Sequence, residues 1–190
     1  MTHVVLFHHA HGLTAGVHAF ADLLRSDGHL VETPDLFDGH TFTALDEGVA
    51  YAEQLGFGSI IERGAVAAGD LHGPAVYAGF SLGVLPAQML AQTRPNAVGA
   101  LLYHSCVPTS EFGGGWPERL PVQIHAMDAD PYFVDGGDLD AAREVARSEP
   151  AASLYLYPGG GHLFTDETLP CYDAEATADV VRRTLTLLDS

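Results

Sequence analysis

The chain of 190 residues contains no lysine: its 8 cations are all arginines, set against 25 Asp+Glu, for a formal net charge of −17. Only Arg182 and Arg183 are adjacent. The clustered positive surface that phosphate neutralisation requires is missing, so nucleic acid and anionic membrane surfaces are disfavoured as partners. Cysteine is equally scarce. Cys106 and Cys171 stand far apart with no C-x-x-C pair, which argues against a disulfide framework or a thiolate zinc site. Long apolar runs are absent too, and nothing approaches the roughly 20 residues needed to cross a bilayer. His3 occupies the place of a secretory leader's basic region, and His8, His9 and His11 interrupt the first apolar run, so the reading is a cytoplasmic protein. No Walker A or G-x-G-x-x-G sequence follows a strand, which removes the main signal of a flavodoxin-like nucleotide binder.

With 47% hydrophobic and 17% charged residues and a mean hydropathy of +0.10, the composition is globular, and the length predicts one domain over residues 1–190. Short apolar runs rich in β-branched or aromatic residues recur at Val4–Phe7, Leu30–Thr33, Ala75–Ala78, Val98–Tyr103, Val122–Ala126 and Leu154–Tyr157. Helical spacing separates them, through Val17, Phe20, Leu23 and Leu24, then Leu45 to Ile61, then Leu85 to Leu90, with later helices near Asp138–Arg147 and over Ala176 to Leu188. Alternating strands and helices predict a mainly parallel sheet of about six or seven strands, covered on both faces, with its chemistry at the carboxyl ends of the strands. The stretch Val107–Pro121 is loose and rich in glycine, and Phe112 and Trp116 in it are read either as a lid or acyl pocket or as core packing under the loop.

Gly79-Phe80-Ser81-Leu82-Gly83 matches G-x-S-x-G, the tight strand-to-helix turn that presents a serine hydroxyl above a sheet. About 0.1 such match is expected by chance at this composition, but the strand before it and the helix Val84–Gln92 after it supply the required setting. A serine hydroxyl needs an imidazole to take its proton and a carboxylate to fix the imidazole tautomer. In the chain order that accompanies this turn, His104, His125 and His162 are candidates, and His162 fits best because it follows the last strand within a glycine-rich turn. For the acid, Asp130 is favoured over Asp128, with Asp135 and Asp138 as alternatives; any of these aspartates could instead cap a turn or helix. Asp173 and Glu175 read as caps of the final helix.

Several blocks occurring together and in order resemble the dienelactone hydrolase family of α/β-hydrolases. They are Val4 to Leu13, Pro34-Asp35-Leu36-Phe37, Gly79 to Gly83, His125 to Asp130, and Tyr157-Pro158-Gly159-Gly160-Gly161-His162-Leu163-Phe164. The resemblance implies an α/β-hydrolase fold with Ser81 as nucleophile, Asp130 as acid and His162 as base. It also implies an oxyanion hole made by the backbone N–H groups of Ala10 and Leu82. His9, His11, Phe80 and Trp116 are expected to line the substrate pocket. Family members that open dienelactones carry cysteine where this chain has Ser81, glutamate where it has His9, and a basic residue where it has Asp166, so a neutral ester, thioester or lactone is expected rather than a carboxylated one. Neither cofactor nor metal is required, and the protein is expected as a monomer or homodimer. Two other readings remain: a noncatalytic binding module on the same fold, and metal binding by His8, His9 and His11 with His3 nearby.

Overall fold

A computed structural model describes residues 1–69 and 71–190. Strands β1 (His3–Phe7), β2 (Leu30–Glu32), β3 (Ala75–Phe80), β4 (Ala97–Tyr103), β5 (Val122–Met127) and β6 (Ala152–Tyr157) form one sheet in the order β2-β1-β3-β4-β5-β6, every pair parallel. The helices are α1 (Ala15–Ser26), α2 (Leu45–Leu55), α3 (Phe57–Ala67), α4 (Val84–Thr93), the one-turn α5 (Pro131–Val134), α6 (Asp138–Ser148) and α7 (Ala174–Leu188). This is the α/β-hydrolase architecture, and all six strands fall on the apolar runs that predicted them. Among the described residues no helix is long and apolar enough to cross a membrane.

The near-continuous hydrophobicity of the strands has its cause in two buried faces. Successive side chains of a strand alternate sides, so Val4 and Leu6 join the α1 and α7 residues Phe20, Leu24 and Val180 on one face. Val5 and Phe7 pack on the other face with Ile60 of α3, Leu90 of α4 and Val145 of α6. The stretch from Leu45 to Ile61 reads as continuous helical spacing but breaks at Gly56, whose φ of 85° lies outside helical space.

After β2 the chain crosses to the far side of β1, which makes the gap between β1 and β3 the topological switch point. Register places the site there. Phe7 pairs with Gly79, so the loop leaving β1 emerges beside the turn at Ser81; Met127 pairs with Tyr157, so the loops carrying Asp130 and His162 emerge together.

The loop over Val107–Pro121 corrects one expectation. It is not a lid: side-chain amides of α4 hold it, Gln88 Nε2 donating to Val107 O at 2.7 Å and Gln92 Nε2 donating to Thr109 O at 2.8 Å and Gly115 O at 3.1 Å. Trp116 is buried in the α4 and α6 core and its ring N–H donates to Leu120 O at 2.9 Å. Gln92 closes α4 and Leu120 leads into β5, so the ring lies toward the amino edge of the sheet, away from Ser81. Core packing explains it, because an indole buries well when its N–H finds a carbonyl. Trp116→Ala should therefore cost about 3 kcal/mol of stability by urea titration, the loss typical of a buried aromatic; a loss below about 1 kcal/mol would place the ring outside the core.

Candidate active site

Ser81 follows β3 directly and adopts φ 49°. A non-glycine residue in this left-handed region carries on the order of 1–2 kcal/mol of strain, and its neighbours make the turn possible. A Cβ on Gly79 would lie 2.1 Å from Gly83 O, and one on Gly83 would lie 2.4 Å from Phe7 O and 2.7 Å from His8 O. The two glycines let the turn close on itself and let the loop after β1 pack against it. In that loop the Ala10 N–H has no hydrogen-bond partner among the described residues. Leu82 lies in the single 3-10 turn that leads into α4.

Ser81 Oγ lies 2.8 Å from His162 Nε2, and His162 Nδ1 lies 2.6 Å from Asp130 Oδ2. The carboxylate accepts, so the ring proton is on Nδ1 and Nε2 is left to accept the serine hydroxyl. Asp130 is fully buried. Its other oxygen accepts the Tyr132 N–H at 3.0 Å as the cap of α5, so the capping and ring-orienting readings are both met by one side chain. The competing aspartates are engaged elsewhere. Asp128 Oδ1 accepts the Gly159 N–H at 3.1 Å and pins the turn before His162; Asp138 Oδ2 accepts from Ser105 Oγ at 2.5 Å and the Cys106 N–H at 3.2 Å; Asp135 ends α5.

The expected pocket residues separate. His11 lines a cleft of about 430 Å³ with Leu13, Thr41, Phe42, Thr168 and Leu169, and no charged residue lines it. Neither this cleft nor a larger groove of about 640 Å³ between α1 and α7 is lined by Ser81, Asp130 or His162. His9 and Phe80 are buried rather than pocket-facing, at 1% and 2% exposure. Phe80 points into the α1 and α7 face, edge-on to Phe20 at 5.0 Å and stacked on Tyr103 at 4.9 Å. Its parity with Val76 and Ala78 along β3 explains this. Trp116, as described, is elsewhere.

Of the first-loop histidines, His9 and His11 meet edge-on with ring centroids 5.4 Å apart, while His8 packs against Phe37. His8 Nδ1 donates to His9 O at 2.8 Å while its Nε2 accepts the Leu36 N–H at 2.9 Å; His9 Nε2 donates to Asp166 Oδ2 at 2.9 Å; His11 Nδ1 donates to Phe42 O at 2.8 Å. Each ring makes a structural hydrogen bond, and His9 Nδ1 is buried with no partner among the described residues. Asp27, His29 and Asp189 do bring ligand atoms within 4.8 Å of one another. But His29 Nδ1 accepts the Thr2 N–H at 3.3 Å, which leaves the proton of the neutral ring on Nε2, facing the carboxylates as a donor rather than a lone pair.

Three further residues stand around the site, and only Tyr132 among them is absent from the sequence reading. Tyr132, half exposed, holds its ring 4.7 Å from that of His162; its place two residues past Asp130 on a Pro-initiated turn was the available signal. His104 follows β4 at φ 67°, is fully buried, and bonds Thr165 Oγ1 at 2.8 Å through Nε2, with its ring 6.1 Å from that of His162. Asp166 meets His9 across 157 residues of chain, a contact with no local signal.

A family model described as the dienelactone hydrolase family matches residues 1–190. Solved structures share the fold. A dienelactone hydrolase-like promiscuous phosphotriesterase from metagenomic libraries is 19% identical, with 100% of this chain and 86% of that one covered at a TM-score of 0.77. A cold-adapted esterase from an Arctic intertidal metagenomic library is 18% identical, with 98% and 83% covered at 0.67. A pyrethroid hydrolase from Sphingobium faniae JZ-2 is 15% identical, with 97% and 99% covered at 0.57. No curated protein sequence matches the chain.

Burial drives the imidazoles around the site toward the neutral form: His8 is pushed down to about 4 and His125 to about 3, and His9 and His104 are also lowered, in each case chiefly by burial. Above the ordinary histidine value of 6.5 folded and unfolded chains both carry neutral rings. Below it the unfolded chain takes up protons that the folded chain refuses, so stability falls with pH by up to about 1.4 kcal/mol per unit per ring. The urea midpoint should therefore drop steadily from about pH 6.5 to about pH 5.5, above the range where ordinary carboxylates titrate; a flat midpoint there would contradict neutral burial.

Proposed function

The chain belongs to the dienelactone hydrolase family and is a hydrolase acting on ester bonds; from this premise we propose that it works through an acyl-enzyme on Ser81. His162 takes the Ser81 proton as the oxygen attacks the carbonyl carbon, and the imidazolium that results is stabilised and oriented by Asp130. The developing oxyanion is bound by the N–H groups of Ala10 and Leu82, the kind of donor worth about 2.7–4 kcal/mol where one has been removed. His162 then returns the proton to the leaving group. Water enters and gives a proton to His162 as its oxygen adds to the acyl carbon; His162 then passes that proton to Ser81 Oγ as the acyl–Oγ bond breaks and the acid leaves, with no cofactor called for. The observation that carries this reading is the unbroken hydrogen-bond chain from Ser81 through His162 to Asp130, at 2.8 and 2.6 Å. A noncatalytic binding module has no need of all three groups in that order.

The substrate we assign is a small, neutral ester, thioester or lactone. Support comes from the partners of Ser81, His162 and Asp130, which include no cation among the described residues and so offer no clamp for a substrate carboxylate. Two solved structures of this fold are an esterase and a pyrethroid hydrolase, in keeping with ester hydrolysis.

A fluorophosphonate should label the wild-type protein at Ser81, located by mass spectrometry, and Ser81→Ala should abolish both labelling and p-nitrophenyl acetate turnover with an unchanged far-UV spectrum. Asp130→Asn should lower kcat by about 10⁴, as expected when the ring loses its correct tautomer. Wild-type protein that resists labelling and hydrolyses no short ester would leave the binding-module reading in its place.

A further inference from the structure

Asp166 lies four positions after His162 and is 3% exposed, yet its carboxylate holds four hydrogen bonds. Oδ2 accepts from His9 Nε2 at 2.9 Å and from Thr14 Oγ1 at 2.8 Å; Oδ1 accepts from the Thr168 N–H at 2.8 Å and Thr168 Oγ1 at 2.5 Å. These bonds hold the carboxyl below the usual carboxylate range against the opposing effect of burial. The carboxylate also sits at the N-terminus of α1, where Thr14 is the cap and a Cβ on Gly16 would lie 1.7 Å from Oδ1. An anion there is favoured by the helix dipole, and only a glycine leaves room for it.

This one side chain therefore joins three segments: the loop after β1, through His9; the start of α1, through Thr14; and its own loop, which carries His162. Neighbouring Thr165 fastens the same loop to His104. Ala10, whose N–H has no partner among the described residues, is the residue after His9. The separation between the oxyanion donor and the catalytic imidazole is thus set through a buried link of His9 and Asp166 that touches neither substrate nor Ser81. Its polarity reverses what the family resemblance leads one to expect, with the neutral donor in the first loop and the anion after the catalytic histidine.

We propose that His9 and Asp166 form a positioning pair that holds the Ala10 N–H against the Ser81 and His162 couple. The proposal rests on the serine hydrolase reading above. It assigns the pair to transition-state stabilisation: the chain can fold and bind substrate without the link, but the oxyanion then meets a misplaced donor. A donor displaced by about 1 Å can cost on the order of 100-fold in rate.

The test compares His9→Ala, His9→Gln, Asp166→Asn and the wild type, each with its folded fraction measured by circular dichroism and urea titration. On p-nitrophenyl acetate, His9→Ala and Asp166→Asn should lose about 10- to 100-fold in kcat with KM within about threefold, as for an interaction felt mainly in the transition state. The fluorophosphonate labelling rate, whose phosphoryl oxygen takes the oxyanion position, should fall by the same factor. His9→Gln, whose amide N–H can replace the imidazole donor, should recover at least about tenfold of what His9→Ala loses. Equal rates for folded His9→Ala and wild type, or a loss that merely tracks the unfolded fraction with no rescue by glutamine, would overturn the pairing. Absence of labelling in the wild type would instead overturn the serine hydrolase reading, so the two failures are distinguishable.

Discussion

Much of this molecule turns on one buried carboxylate. Asp130 is fully shielded from water, and a lone buried anion is costly unless its lone pairs are filled. Two donors fill them: the Tyr132 N–H at the start of α5 and the His162 ring. The first is an ordinary helix cap, which stabilises the fold whatever else the protein does. The second uses the remaining oxygen to hold an imidazole in a single tautomer. Because both bonds come from one rigid group, the direction of the His162 ring is tied to the backbone of α5. Tyr132, carried on that backbone, is brought against the ring at 4.7 Å.

The sheet supplies the other half of the geometry. Parallel strands end at one edge, and the register of β1 with β3 and of β5 with β6 sets where each loop leaves. Ser81 and His162 stand 81 residues apart in sequence, with β4 and β5 between their strands. The long turn through Gly159, Gly160 and Gly161 carries His162 across that distance, and Asp128 anchors it by accepting the Gly159 N–H. Strain at Ser81 is sustained because the backbone of the first loop lies directly on Gly83. The turn cannot relax without moving the loop that contains Ala10, so Ser81 and that loop are coupled mechanically.

What was legible in the chain follows the range of the signal. Strands announce themselves through short apolar runs, and all six were readable, as were Ser81 from its flanking glycines and His162 and Asp130 from their order behind it. Side-chain direction carries a further signal: Val76, Ala78 and Phe80 share parity on β3, so Phe80 faces the core. Trp116 was ambiguous because a glycine-rich loop with an aromatic has the same composition whether it caps a pocket or plugs a core. Two glutamines on α4 decide the matter, and their partners are backbone carbonyls that sequence does not mark. The contact of His9 with Asp166 was out of reach for a different reason. Taken separately, one residue reads as pocket lining and the other as the loss of a basic residue; only their meeting shows a buried internal link.

That link bears on why a chain carrying a net charge of −17 can build its centre from imidazoles. A surface of that sign would ordinarily favour protonated histidine, but burial opposes it more strongly at His8, His9, His104 and His125. Each ring is kept neutral and is used for direction rather than charge: His8 donates through one nitrogen and accepts through the other, and His9 donates to a carboxylate already filled by threonines. The Asp130 charge is met instead by the Tyr132 N–H and by His162. In the proposed mechanism it is His162 that takes a proton, and the buried anion beside it is then the partner that gains most, since attraction between opposite charges strengthens as the surrounding dielectric falls. Neutral histidines elsewhere would leave that electrostatic response to the one ring which the mechanism charges.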